Sequence, residues 1–408
     1  MKCGLLGRKL GHSYSPQIHS HLGSYSYTLF EKEPEQLEDF LRNGDFTGLN
    51  VTMPYKKTVI PYLDELSPKA KLLGAVNTIV RRPDGRLIGH NTDYFGFETM
   101  LRASGLDIRG KKVLVLGSGG ASSTAAAVLR AAGAQVVIIS RNGEDHYGNL
   151  HRHPDAAVIV NTTPVGMYPN TGNAPVQLTN FPALEGVLDV VYNPARTQLL
   201  LDTQALGLSA VNGLLMLVAQ AKEAAEWFTG ASVPDSEIGK IHALLRRQME
   251  NIVLIGMPGS GKTTVGKLLA AQTGKSFVDA DAAIEIAAGK TIPKIFSEMG
   301  EAGFRTWETQ VLEQLGKQSG LVIATGGGCV TREENYRLLH QNGTIFCLHR
   351  PLELLPTDGR PLSQQEKLEK MYQIREPMYQ RFGDYHIQNE STPEVAAKAI
   401  LALWEENI

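Results

Sequence analysis

Two glycine-rich loops, each held between an apolar strand and a small-residue helix, constrain this chain more than any other feature. The first lies in KKVLVLGSGGASSTAAAVLRAAGAQVVIISRN, residues 111–142. The second lies in NIVLIGMPGSGKTTVGKLLAAQTG, residues 251–274. Strand, bare backbone and helix N-terminus together surround a phosphate with N–H groups, so each unit predicts a nucleotide site. Two such units in 408 residues predict more than one domain, since about 100–200 residues is usual for each. Elsewhere β-branched apolar runs alternate with amphipathic stretches, predicting α/β architecture with parallel strands.

The second loop fits G-x-x-x-x-G-K-[ST] from Gly256 through Gly259, Ser260 and Gly261 to Lys262, Thr263 and Thr264. In that context Lys262 reaches the β- and γ-phosphates of ATP, and the Thr263 hydroxyl is a ligand for Mg2+. Asp279 and Asp281 follow at the end of the next strand. One carboxylate near the metal and one on a hydroxyl is one reading; a helix cap in a solvated loop is the other. Arg305 is either a surface residue or a fork for a carboxylate. Gly326-Gly327-Gly328 after LVIAT lets a ligand approach bare backbone. Cys347 and His349 read as strand residues without a role.

The first loop, Gly117-Ser-Gly119-Gly120-Ala121-Ser122, has serine where G-x-G-x-x-G ends in glycine. The next strand closes on Ser140-Arg141-Asn142, with no acidic residue for a ribose 2′-hydroxyl. Arg141 then either pairs with a 2′-phosphate, which predicts NADP, or is simply solvated. A separate domain must precede this loop. It carries compact polar clusters: Ser13-Tyr-Ser15-Pro, Asn50-Val-Thr52-Met-Pro-Tyr-Lys56, Asn77-Thr78 and Gly89-His-Asn91-Thr92-Asp93. Hydroxyls, amides, one lysine and one aspartate suit a small polyhydroxylated acid, and Lys56 with Asp93 can pass a proton during hydride transfer. Each cluster alone is equally a cap or a turn. His12 and His90 read as packing or loop residues.

Composition narrows the partners. Forty Lys and Arg against 42 Asp and Glu give a net charge of -2, which opposes a dedicated nucleic-acid binder. The three cysteines show no C-x-x-C spacing, which excludes a disulfide scaffold or zinc knuckle and fits a reducing cytoplasm. No signal peptide and no apolar run of about 18 residues is present, so no membrane partner is expected.

Taken in order, residues 251 to about 405 resemble shikimate kinase: G-x-P-G-S-G-K-T, D-A-D, Gly303-Phe-Arg305, the triple glycine, Arg360-Pro-Leu and Arg375-Glu-Pro-Met-Tyr. The resemblance implies that Asp281, Arg305, Gly327, Gly328 and Arg375 bind shikimate, that Asp281 helps activate the attacking hydroxyl, that Asp279 lies near Mg2+, and that Arg360 sits on a lid and stabilises the transferring phosphoryl group. It departs between Arg350 and Arg360, where PLELLPTDG carries no basic residue. Residues 1–245 or so resemble shikimate dehydrogenase. The first clusters carry the match, with Asn161-Thr-Thr-Pro-Val-Gly-Met167, Tyr192-Asn-Pro-Ala-Arg-Thr197 and Gly213-Leu-Leu-Met216 leading to Gln220. This implies catalysis by Lys56 and Asp93, and substrate contacts from Ser13, Ser15, Thr52, Asn77, Asn91, Tyr192 and Gln220. It implies NADP contacts from Gly117, Gly119, Gly120, Ala121, Arg141, Thr162, Met167 and Gly213. SRNGEDH stands where N-R-T-x-x-R is usual, so a second base for the 2′-phosphate is missing.

The expectation is therefore a substrate-binding α/β domain at 1–95, with helices near 213–248 packing back on it. A Rossmann-like NADP domain follows at 96–212, and a P-loop kinase with a parallel sheet at 249–408. Such a fusion would reduce 3-dehydroshikimate to shikimate and phosphorylate the product, as a monomer or homodimer. The alternative is an active shikimate or quinate dehydrogenase joined to a kinase-like domain with weak or regulatory nucleotide binding.

Overall fold

The computed structural model describes residues 1–11, 13–355 and 365–406. His12 and Arg360 therefore lie outside the described residues. Packing divides the chain into two compact units. The first holds Met1–Met167, Asn173–Tyr192 and Asp202–His242; the second holds Tyr168–Gly172, Asn193–Leu201 and Ala243–Ile408.

The first unit contains two sheets. One comprises β1 (Lys2–Gly7), β2 (Ser26–Glu31), β3 (Gly48–Val51), β4 (Glu65–Leu66), β5 (Thr78–Arg81) and β6 (Leu87–His90), in the order β2-β1-β3-β5-β6-β4. It is mixed: β1 runs parallel to β2 and β3, while β5 is antiparallel to both β3 and β6. The β5–β6 pair is antiparallel because only a short segment, 82–86, joins the two strands. A tight turn reverses the chain, whereas a parallel return needs a crossover of a dozen residues or more. The antiparallel hairpin sets His90 opposite Thr78. Asn77 and the Asn91–Asp93 run, which flank that pair, are thereby brought side by side.

The second sheet comprises β7 (Lys112–Leu116), β8 (Gln135–Ile139), β9 (Val158–Asn161), β10 (Gly186–Asp189) and β11 (Ser209–Val211). All strands are parallel, in the order β11-β10-β9-β7-β8. VLVL of β7 and VIVN of β9 are buried along their whole length, as strands covered on both faces must be. Helix Leu214–Thr229 packs along helix Asp93–Ser104 and onto β3 and β5. The crossing of the two helices is close: an added Cβ at Gly96 would lie 2.7 Å from the Met216 carbonyl oxygen. Ala224 and Phe228 of the later helix are buried against Cys3.

The second unit carries β12 (Asn251–Ile255), β13 (Ser276–Asp279), β14 (Leu321–Ala324), β15 (Gly343–His349) and β16 (Tyr385–Gln388). They form a parallel sheet in the order β13-β14-β12-β15-β16. NIVLI at its centre is buried throughout. Strand order reverses at β12, so the loops after β12, β13 and β14 open on a shared crevice beyond the strand ends. Among the described residues no helix is long and apolar enough to cross a membrane.

Candidate active sites

In the first unit the lysine and aspartate meet. Lys56 Nζ donates to Asp93 Oδ2 at 2.5 Å, from the loop after β3 to the first residue of helix Asp93–Ser104. Asp93 is buried and Lys56 half-buried. Asn77 holds the aspartate from the other side: its Nδ2 donates to Asp93 Oδ1 at 2.9 Å and to Thr92 Oγ1 at 3.0 Å. Its Oδ1 accepts from the Thr92 backbone N–H at 2.7 Å. Thr92 Oγ1 in turn lies 3.5 Å from Gln220 Oε1. Asn91 Nδ2 donates to the Ala75 carbonyl at 2.9 Å, while its buried Oδ1 has no partner among the described residues. Such an acceptor, facing no protein donor, suits a ligand hydroxyl.

Ser13 and Ser15 form a turn in which Ser15 N–H donates to Ser13 Oγ at 3.2 Å. Tyr14 between them meets Tyr192 edge-on, with centroids 6.2 Å apart, so these two expected segments come together. Thr52 is fixed by its own N–H, which donates to the Leu6 carbonyl at 2.9 Å. Behind β3 a support layer escaped the sequence reading. Tyr27 donates to Asn50 Oδ1 at 2.7 Å, and Asn50 Nδ2 donates to Thr78 Oγ1 at 3.3 Å. His19 stacks on Tyr27 at 4.1 Å, and burial pushes its imidazole down to about 3. A histidine in SPQIHS gives no local sign of this, because its partners Tyr25, Tyr27 and Phe228 lie on other segments. His90 is likewise buried, stacked on Trp227 at 3.6 Å.

The dinucleotide loop leaves β7 at Gly117, whose φ of +110° is costly for other residues. A Cβ there would also come 2.9 Å from Thr162 Oγ1, and Thr162 donates to the Leu116 carbonyl at 2.6 Å. At Gly119 and Gly120 an added Cβ would meet nothing within 4 Å, so open space lies before the helix that starts at Gly120. That space fits a pyrophosphate at a helix N-terminus. Ser122 departs from the glycine pattern, and its hydroxyl donates to the Gly117 carbonyl at 2.7 Å, closing the turn by another route. Arg141 is exposed just beyond β8, and Met167 is exposed too. Gly213 packs so tightly that an added Cβ would overlap the Val190 carbonyl oxygen. The turn after Arg141 is closed by Ser140 N–H donating to the Asp145 carbonyl at 3.1 Å. The Asp145 carboxylate holds Arg152 at 3.3 Å and His153 Nε2 at 2.9 Å. Arg152, eleven residues beyond Arg141, is thereby tied to this turn.

In the second unit a cavity of about 600 Å³ is lined by Gly259, Gly261, Lys262, Thr263, Thr264, Asp279, Asp281, Arg305, Gly327, Gly328 and Arg375. Gly256 and Ser260 are not on its wall. Lys262 Nζ curls onto the carbonyls of Gly256 and Met257 at 2.8 and 2.9 Å. Ser260 Oγ is buried with no partner among the described residues. Thr263 Oγ1 donates to Asp279 Oδ2 at 2.9 Å, and Asp279 Oδ1 accepts from Asp281 N–H at 3.1 Å. The cap and the metal reading of Asp279 are therefore compatible. A hydroxyl and a carboxylate side by side are hard oxygen donors, a set that fits Mg2+.

Arg305 is held by Glu308 at 2.7 Å and Glu301 at 3.2 Å, so it is no free surface residue. Its guanidinium lies against Gly328, where an added Cβ would come 2.1 Å from Nη2. Arg375 Nη1 and the Tyr379 hydroxyl both donate to the Gly327 carbonyl, at 3.1 and 2.5 Å. Glu308 and Tyr379 were not anticipated. Burial pushes the Glu308 carboxyl up, against the pull of Arg305. Arg350 also lines the cavity, its Nε buried without a partner among the described residues.

Both parts of the chain match known proteins. The family description "Shikimate dehydrogenase substrate binding domain" matches residues 5–79, and "Shikimate kinase" matches residues 258–404. The shikimate dehydrogenase (NADP(+)) of Clostridium perfringens is 38% identical over 265 residues, covering 60% of this chain and 97% of that protein. That of Carboxydothermus hydrogenoformans is 38% identical over 259 residues, covering 57% and 92%. Among solved structures, shikimate dehydrogenase 1 from Peptoclostridium difficile has a TM-score of 0.55 at 36% identity, covering 60% of this chain and 97% of its own. A chorismate mutase/shikimate 5-dehydrogenase fusion from Clostridium acetobutylicum has a TM-score of 0.57 at 36% identity, covering 60% and 96%. The chain belongs to the shikimate dehydrogenase family through its first part and continues into a shikimate kinase domain.

Proposed function

We propose that one chain catalyses two consecutive steps: reduction of 3-dehydroshikimate to shikimate with NADPH, then phosphorylation of the new hydroxyl with ATP. The observation that carries this is the presence in one chain of a Lys56–Asp93 couple at 2.5 Å and a phosphate-loop cavity holding Asp281, Arg305 and Arg375. We assign 1–95 with the helices near 213–248 to substrate binding, 96–212 to the dinucleotide and 249–408 to the kinase.

When bound, NADPH supplies hydride to the carbonyl carbon. Lys56 gives a proton to the developing alkoxide, while Asp93, itself held by Asn77, keeps the ammonium aimed. Asn91, Ser13, Ser15, Thr52, Tyr192 and Gln220 supply hydroxyl and amide partners for the ring hydroxyls and carboxylate. Arg141 favours a 2′-phosphate, and Arg152 is tied to the same turn through Asp145.

In the kinase cavity Arg305 and Arg375 hold the carboxylate. Asp281 accepts the hydrogen bond of the attacking hydroxyl. Lys262 exchanges its two carbonyl partners for phosphate oxygens. Thr263 and Asp279 would hold Mg2+, whose charge would offset that of the phosphates. Arg360 is assigned to the transferring group on the resemblance alone, and Arg350 provides a cation on the cavity wall.

The test is a single incubation of the purified chain with 3-dehydroshikimate, NADPH and MgATP, read by mass. Shikimate 3-phosphate is expected only when all three are present. Accumulation of shikimate without the phosphate ester would sink the kinase assignment.

A further inference from the structure

We propose that Cys347, His349 and His386 form a binding site for one metal ion of the thiolate- and imidazole-seeking class, Zn2+ being the representative. Cys347 and His349 lie two apart on β15 and so share a face. The parallel register sets His386 of β16 directly beside Cys347. One donor atom from each of the three lies within 4.8 Å of the other two. His349 Nε2 and His386 Nδ1 are already 2.8 Å apart, sharing one proton. Metal–sulfur and metal–nitrogen bonds of about 2.3 and 2.0 Å in a tetrahedron place such donors about 3.3–3.6 Å apart, so small side-chain rotations suffice.

The surroundings resemble a metal site more than a chance contact. Glu376 Oε2 is buried, has no hydrogen-bond partner among the described residues, and faces His349 Nδ1 at 3.9 Å. A carboxylate behind the second ring nitrogen holds an imidazole with its other nitrogen free to ligate. Gly383 closes one side with backbone, for an added Cβ would lie 3.1 Å from Cys347 Cβ and 3.1 Å from His386 Cε1. His386 is exposed, which leaves an entry and a fourth coordination position for water. Binding balances as follows. The thiol proton leaves as the metal–sulfur bond forms. The proton between the imidazoles moves to an outer ring nitrogen, so one proton is released for each metal bound.

The position ties the site to the nucleotide loop. Leu348, between the two ligands of β15, packs its carbonyl against Gly256, and Asn389, just past β16, donates to the Ser260 carbonyl at 2.7 Å. A metal here cross-links the two strand ends that brace this loop.

The test is titration of the tag-free full chain with Co2+, then Zn2+, in excess Mg2+ to cover the Thr263–Asp279 site. One Co2+ per chain is expected, with the visible bands of a tetrahedral ion, a near-ultraviolet thiolate-to-cobalt band, and displacement by Zn2+. Cys347→Ser should lose the thiolate band. Glu376→Gln should weaken binding about 10–100-fold, and His386→Gln at least as much. Because His386 is exposed, that variant tests the site even if Cys347→Ser fails to fold. No bound Co2+, a thiolate band that survives Cys347→Ser, or unchanged affinity in His386→Gln overturns the proposal.

Discussion

Replacing Asn77 with alanine separates two roles that this residue can have in the dehydrogenase. In the structure its side chain is buried and committed to its neighbours: both Asp93 and Thr92 take a hydrogen bond from Nδ2, and Oδ1 takes the Thr92 N–H. The bond to Asp93 is charge-assisted, worth about 1.5–3 kcal/mol. If that energy serves to aim the Lys56–Asp93 couple, its loss lowers kcat/KM about 10–150-fold, carried by kcat. The buried Thr92 N–H also loses its acceptor, which costs the first unit about 1–3 kcal/mol of stability. The assay is shikimate oxidation by NADP+, with urea unfolding alongside. Kinase turnover of the same preparation is the internal control and should stay near wild type. A change in kcat/KM below twofold would refute the positioning role. So would a fall carried by KM alone, which marks a plain substrate contact.

Four further outcomes are expected. Lys56→Ala should lower reduction by about 10²–10⁴-fold, the usual span for a lost proton donor, with kinase turnover unchanged; parallel loss of both refutes independent sites. Arg141→Ala should raise KM for NADPH far more than for NADH, and equal changes would show that the guanidinium does not read the 2′-phosphate. Gly328→Ala puts a methyl where the Arg305 guanidinium lies, so KM for shikimate should rise while KM for ATP holds; the reverse pattern assigns Arg305 to the nucleotide. The fourth concerns pH. His19 ordinarily titrates near 6.5 but is pushed by burial to about 3 in the folded chain. Only the unfolded chain is protonated between those values, so stability is full above 6.5 and falls with pH below it. The loss is about 1.4 kcal/mol per pH unit, or about 2 kcal/mol at pH 5. Burial holds His90 near 4, which adds to the slope. Denaturant unfolding of His19→Phe between pH 5 and 7 should be flatter than wild type by about one proton, and an identical slope would falsify the argument.

Much of the site was legible because its parts are local. A phosphate loop is a contiguous run whose glycines and lysine act within one turn of the chain, and VLVL or NIVLI is apolar because both faces of a parallel strand are covered. Lys56 and Asp93 were legible as types, each in its own polar cluster. The antiparallel turn between β5 and β6 was not, nor were the residues that act from another element: Tyr27 and His19 behind Asn50, Arg152 folded back on Asp145, Glu308 under Arg305, Tyr379 on Gly327 and Arg350 at the cavity wall. Each looks like an ordinary core or surface residue in its own stretch.

Cys347, His349 and His386 mark that division most clearly. The sequence alone determined that the chain holds two nucleotide loops, that the strands leading into them are buried, and which side chains share a face of one strand, since alternation has a period of two. It also excluded any cysteine pair at C-x-x-C spacing. Which strand lies beside which is decided by crossover helices and core packing between elements far apart in the chain, and no local pattern encodes it. Only that tertiary register sets His386 against Cys347 and carries Asp93 to Lys56.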